Sequence, residues 1–161
     1  MSTPETSTLC AALAQALNAR GWMLATAESC TGGLIAAQCT ELAGSSLWFE
    51  RGFVSYSNAA KTELLGVPAA LIAAHGAVSE PVARAMAEGA ARQARTQLAV
   101  AVTGIAGPSG GSPDKPVGTV WLAWWIDGQL DAERQLFTGD RAAVRQATVH
   151  HALSGLLTRL R

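Results

Sequence analysis

Residues 22–42 read WMLATAESCTGGLIAAQCTEL, and this stretch decides the fold. An apolar run stops at Glu28. Ser29, Cys30 and Thr31 then stand side by side before Gly32 and Gly33, and an apolar pattern at helical spacing follows at once. The pattern predicts a short buried strand over 22–28, a tight turn, and a helix from Gly33 to about Leu42. A strand running straight into a helix is the repeating unit of α/β proteins.

The same reading extends outward. Leu9, Leu13 and Leu17 repeat at helical spacing, so 7–20 is a helix that Gly21 stops. Residues 52–57, GFVSYS, alternate like a strand, and Asn58 is then the expected N-cap of a short helix closed by Gly66. A second short helix ends at Gly76. Ser79 caps a longer one, with Pro81 in its first turn, that runs to about Gln97. LAVAVTG at 98–104 is a continuous apolar run entering a glycine, as in a fully buried strand. A loop dense in Gly, Pro and Ser covers 105–116. Residues 117–126 and 129–138 flank Asp127-Gly128, a hairpin signal. A closing helix spans 140–160, with Val144, Ala147, His151 and Leu157 on its inner stripe.

Five strands and about six helices, partly alternating, predict a three-layer α/β/α sandwich around a mixed β-sheet. Ligands in such sheets sit outside the carboxyl ends of the strands. Three segments leave strands here, 29–33, 57–61 and 103–111, and their convergence would make one pocket.

Length and composition bound the function. The 161 residues fit one domain, with residues 1–6 expected to be a flexible tail. Apolar residues at 49% supply a core, and charged residues at 15% are too few for disorder. Twelve Lys and Arg balance twelve Asp and Glu, which argues against nucleic acid as the main partner. Three cysteines without CxxC or metal spacing suit a reduced, cytoplasmic setting. No signal peptide and no apolar run long enough to span a membrane is read, so no membrane partner is expected. No His/Cys/Asp/Glu cluster has metal-ligand spacing. Trp121 and Trp125 fall on one face of a strand and Trp124 on the other, as packing residues.

Several side chains could carry chemistry. Ser29 sits where a strand-to-helix turn can expose a hydroxyl near free N–H groups. From position alone, a capping role for Ser29 or Thr31 leads. Cys30 is a rival nucleophile, but it would need a histidine base. His75, His150 and His151 all lie on helices outside any motif-like loop. Lys61, four residues after Ser57, could activate a serine if burial kept its amine neutral. Spacing alone leaves a surface lysine ahead. Tyr56, the one tyrosine, could position a proton. TGIAGPSGG at 103–111 lets backbone approach a ligand, yet it is neither a Walker A loop nor GxGxxG. Arg141 and Arg145, one turn apart at a helix start, could hold a phosphate or simply be solvated.

Taken together, AESCTGG, GSSLWFERGFVSYSNAAKTELLGV, HGAVSEPVARAMAEGA and TGIAGPSGGSPDKPVGTVWLA resemble the CinA C-terminal domain family over roughly residues 7–158. The order and length of the four motifs make the resemblance specific. Characterised members are nicotinamide-nucleotide amidases, and the chain resembles the standalone form. The resemblance implies hydrolysis of nicotinamide mononucleotide to nicotinate mononucleotide and ammonia. It also implies no metal or organic cofactor, a small nucleotide as the partner, and a homo-oligomer. Matched by position, the family's nucleophilic serine falls on Ser29, its catalytic lysine on Lys61 and its active-site tyrosine on Tyr56. Around the nucleophile, Glu28, Thr31, Gly32, Gly33 and Asn58 are expected to face the substrate. Thr103, Gly104, Gly107, Gly110 and Gly111 match the substrate loop, and Arg141 is carried over for the phosphate. The alternative is a non-catalytic nucleotide- or partner-binding module of the same fold. A third reading is an amidase for a related carboxamide.

Overall fold

The computed structural model describes residues 4–161, so part of the expected tail, residues 1–3, lies outside the described residues. Thr6 already opens the first helix, α1 (Thr6–Arg20). Next come β1 (Leu24–Glu28), α2 (Leu34–Thr40), a single 3-10 turn (Ser45–Leu47), β2 (Phe49–Val54), α3 (Asn58–Leu65) and α4 (Ala69–His75). The chain continues with α5 (Glu80–Ala94), β3 (Leu98–Gly104), β4 (Thr119–Ile126), β5 (Gln129–Leu136) and α6 (Arg141–Leu160).

The five strands form one sheet in the order β2-β1-β3-β4-β5. β1 pairs in parallel with β2 and β3, and β4 is antiparallel to both β3 and β5. This is the mixed sheet the sequence predicts. The hairpin turn has positive φ at both central residues, 46° at Asp127 and 91° at Gly128, the backbone a type I′ turn requires.

The two faces of the sheet differ in side-chain size. On one, Leu24, Leu98, Val100, Val102, Leu122 and Trp124 meet α1, α2 and α6. The indole N–H of Trp124 donates to the Ala152 carbonyl at 3.0 Å, so this large buried ring leaves no orphan donor. On the other face, β1, β3 and β4 present Ala25, Ala27, Ala99, Ala101 and Ala123. Small side chains let α5 lie close to the sheet, and its own packing face is mostly alanine. α3 then packs on α5 at Gly89, where a methyl group would overlap the Leu65 carbonyl.

Several boundaries differ from the sequence reading, each for a local reason. β1 begins at Leu24 because the left-handed Gly21 closes α1, and the Trp22 N–H is spent on the Leu17 carbonyl. β2 ends at Val54, not residue 57, because Ser55 and Ser57 serve the turn out of the sheet. The cap of α3 is Ser57, whose hydroxyl accepts from Ala60 N–H at 3.0 Å; Asn58 is the first helical residue. Ser79 precedes α5, but its hydroxyl donates to the Gly76 carbonyl. α5 stops at Ala94, where Arg95 turns left-handed. The inner stripe of α6 is Val144, Thr148, Ala152, Leu153, Leu156 and Leu160. Ala147, His151 and Leu157 are only half-buried, and the imidazole of His151 is drawn to Glu133 of the hairpin at 2.7 Å.

The substitution Gly89→Ala should force α3 off α5, an overpacking cost of about 1–3 kcal/mol. The expected result is a Tm lower by roughly 2–12 °C in thermal unfolding.

Candidate active site

The carboxyl ends of β1, β2 and β3 meet at one edge of the sheet, as the three loops predicted. Backbone bonds continue the ladder past the strands: Ser29 N–H donates to Val102 at 3.1 Å and Ser55 N–H to Glu28 at 2.8 Å. Ser29 and Ser55 are thereby fixed side by side. α3 follows β2 after a short turn and returns Lys61 toward them.

Lys61 is 1% exposed, and Ser29 is 7% exposed. The amine nitrogen lies 3.0 Å from Ser29 Oγ, 3.2 Å from the Ser55 carbonyl and 3.1 Å from the Tyr56 carbonyl. A neutral amine has two N–H donors and one lone pair. The two carbonyls can take the donors, leaving the lone pair facing the serine hydroxyl. None of the ion pairs among the described residues includes Lys61. Burial therefore holds its pKa below the usual lysine value, opposed by Cys30.

Ser29 does not cap α2. That task falls to Glu28, whose carboxylate accepts from Ile35 N–H at 2.8 Å, Ala36 N–H at 3.0 Å and the Thr31 hydroxyl at 2.6 Å. Glu28 and Thr31 are fully buried in this arrangement, so neither side chain reaches a substrate as the sequence reading expects. Gly32 N–H closes onto the Ser29 carbonyl at 3.0 Å and is likewise spent. Gly32 and Gly33, both with positive φ, make the turn and are not among the residues that line the cavity around Ser29. Cys30 also lines the inner cavity, and its amide, next after Ser29, makes no backbone–backbone hydrogen bond among the described residues.

The Cys30 thiol is 5% exposed within the core. Burial first, and then the charge of Glu28, push its pKa up to about 11. It is a protonated thiol at neutral pH and a poor nucleophile. Local chemistry thus favours the serine over the cysteine.

Ser29, Lys61, Asn58, Thr103, Gly104 and Arg141 line a cavity of about 190 Å³. Thr103 is buried and donates to the Ala77 carbonyl at 2.9 Å, which ties β3 to the link between α4 and α5. Ala77 and Val78 of that link also line the cavity. Sequence reasoning passed over them, and the punctuation by Gly76 and Ser79 was the available signal. Tyr56 also lines this cavity. Its carbonyl holds Lys61, while its exposed phenol lies 3.4 Å from Arg141 at the mouth.

A second hollow of about 640 Å³ adjoins the first and shares Ala106 and Arg141 with it. Arg141 and Arg145 both border this outer hollow. Arg141 donates to the Gly107 carbonyl at 2.9 Å, and Arg145 to the carbonyls of Cys30 and Thr31 at 3.1 and 3.2 Å. Gly107 contributes its carbonyl to this lattice. Gly110 and Gly111 lie exposed further along the loop and line neither hollow.

A buried amine on a serine hydroxyl, with the residue after that serine lining the same cavity and a basic outer hollow beside it, defines a site suited to acyl transfer. The chain belongs to the CinA C-terminal domain family, whose sequence model matches residues 6–160. It is 52% identical over 157 residues to nicotinamide-nucleotide amidohydrolase PncC of Escherichia coli K12, covering 97% of this chain and 95% of that protein. The PncC of Pseudomonas putida is 54% identical over 151 residues, with 94% of each chain covered. Among solved structures, the competence damage-inducible protein A of Klebsiella pneumoniae superposes with a TM-score of 0.94 at 43% identity, covering 98% of each chain.

Because Cys30 is a protonated, core-packed thiol, Cys30→Ala should keep kcat within about threefold of the parent chain, the loss reflecting packing alone. Steady-state kinetics on the variant measure this, and a fall of orders of magnitude would return the nucleophile role to the thiol.

Proposed function

We propose that the protein is a nicotinamide-nucleotide amidase that converts nicotinamide mononucleotide to nicotinate mononucleotide and ammonia through a Ser-Lys acyl-enzyme. The observation that carries this reading is the 3.0 Å hydrogen bond between buried Lys61 and Ser29. The names of relatives that match nearly the whole chain support the substrate.

The proposed reaction uses the Ser29–Lys61 contact. Ser29 Oγ attacks the carboxamide carbon while its proton passes to the lone pair of Lys61. The carbonyl oxygen becomes an oxyanion, and the Cys30 amide, next after the nucleophile, donates to it. Lys61 returns the proton to the amide nitrogen, the C–N bond breaks and ammonia leaves. Water then attacks the acyl ester, again giving its proton to Lys61. The ester bond breaks, Ser29 regains its hydrogen, and the acid product departs.

The cavity sizes suit a substrate with one flat, neutral end and one anionic end. Ligand pockets commonly hold ~300–1,000 Å³. The inner cavity, at about 190 Å³, fits a ring with its carboxamide, and the outer hollow fits ribose and phosphate. Arg141 stands at their junction and offers charge to the phosphate. Tyr56 contributes its main-chain carbonyl to Lys61 and its phenol to the rim. One amidase domain spanning the chain, homo-oligomeric assembly and a cytoplasmic location belong to the same reading. Among the described residues, no helix is long and apolar enough to cross a membrane.

Ammonia release from nicotinamide mononucleotide is the direct assay. Ser29→Ala and Lys61→Met should each lower kcat by at least roughly a thousandfold, with the fold intact by circular dichroism. A protein that binds the nucleotide but releases no ammonia would instead be a binding module, and activity confined to another carboxamide would shift the substrate. Arg141→Ala should raise KM about tenfold or more with little change in kcat, since phosphate binding is shared by ground and transition states. An unchanged KM would remove Arg141 from the phosphate site.

A further inference from the structure

Glu28 is a fully buried charged residue that the reaction steps leave unused. Among the described residues, its carboxylate has no cationic partner. One oxygen accepts from the Thr31 hydroxyl at 2.6 Å and from Ile35 N–H at 2.8 Å; the other accepts from Ala36 N–H at 3.0 Å. Its backbone is equally fixed. Glu28 sits in register between Val54 of β2 and Val102 of β3, and its carbonyl holds Ser55 N–H at 2.8 Å. The residue before the nucleophile is therefore tied to a hydroxyl just beyond it and to the helix that follows. These bonds close a ring of chain around Ser29.

The ring has two effects on the site. It sets the direction in which Ser29 leaves β1, and so the approach of its hydroxyl to Lys61. It also consumes the N–H groups of Ile35 and Ala36, while Gly32 N–H is spent on the Ser29 carbonyl. Neither of these contacts uses the amide of Cys30, which lines the cavity.

We propose that Glu28 is the positioning residue of the nucleophile turn: acting through Thr31 and the start of α2, it holds Ser29 Oγ on Lys61 and the Cys30 amide toward the substrate. The proposal rests on the Ser29–Lys61 reading above. A carboxylate is required because all three partners are donors. A carboxamide of the same size would turn its own N–H2 against one of them and leave that donor buried without an acceptor. Small displacements of a reacting group cost turnover more than they cost binding.

The test is kcat and KM for ammonia release from nicotinamide mononucleotide, with Tm and circular dichroism measured on the same samples. Glu28→Gln should lower kcat roughly tenfold or more, with KM within about twofold and the fall exceeding any loss of folded protein. Thr31→Val removes one donor at nearly constant shape and should act in the same direction to a smaller degree, about threefold or more. Parent-like kcat in Glu28→Gln overturns the proposal, as does a fall matched by the loss of folded protein. If Glu28→Gln does not fold, Thr31→Val decides alone, and parent-like turnover there overturns it. The two levels separate through Ser29→Ala. An active Ser29→Ala removes the nucleophile reading itself. An inactive one, beside normal Glu28→Gln or Thr31→Val, removes the positioning role only.

Discussion

A primary amine held out of water with no carboxylate beside it is the constraint on which the site depends. Lys61 can be buried because two main-chain carbonyls and one serine hydroxyl satisfy it in its neutral form. Had an aspartate or glutamate been placed next to it, the proton would stay and the lone pair would be lost. The sheet therefore delivers carbonyls, from Ser55 and Tyr56, at the point where other buried lysines meet an acid. Burial carries a thermodynamic sign as well. Because folding lowers the affinity of Lys61 for a proton, folding is opposed at pH values where the amine is charged when unfolded. That opposition fades as pH rises through the interval up to the unfolded pKa.

The scaffold explains how such a residue is reached. The alanine face of the sheet brings α5 in close, and α3 packs on α5 at Gly89. α3 is the helix that carries Lys61. On the opposite face, α6 packs on Trp124 and sends Arg141 and Arg145 to the rim. Arg145 grips the carbonyls of Cys30 and Thr31, in the turn after Ser29, from outside, while Glu28 grips the following helix from inside. The turn is thus held by a cation on its acceptors and an anion on its donors.

Much of this was legible in the chain. The run at 98–104, the Asp127-Gly128 pair and the strand-turn-helix around Ser29 depend on local chemistry, and each element forms where its pattern predicts, with some ends shifted by a residue or two. Residues 55–58 were misread because Ser55 and Ser57 prolong the alternation of β2, although their polar groups serve the crossover and the cap of α3. The inner stripe of α6 was misplaced because His151 is pulled to the hairpin by Glu133, a partner far away in sequence. Glu28 was expected to face the substrate; its true partners lie up to eight residues ahead and become visible only once α2 folds back over the strand end. Lys61 stood as a surface lysine on spacing alone, since nothing local says that a helix will bury it.

The central claim is that Lys61 carries a lone pair when substrate arrives. With only two lysines in the chain, Lys61 and the loop residue Lys115, their side chains can be followed separately by carbon-13 NMR of lysine-labelled protein through a pH titration. The account predicts that Lys61 loses its proton below 10.5, the ordinary lysine value. A Lys61 midpoint at or above that value would contradict it, because the amine would then be a charged donor to Ser29 and not its base.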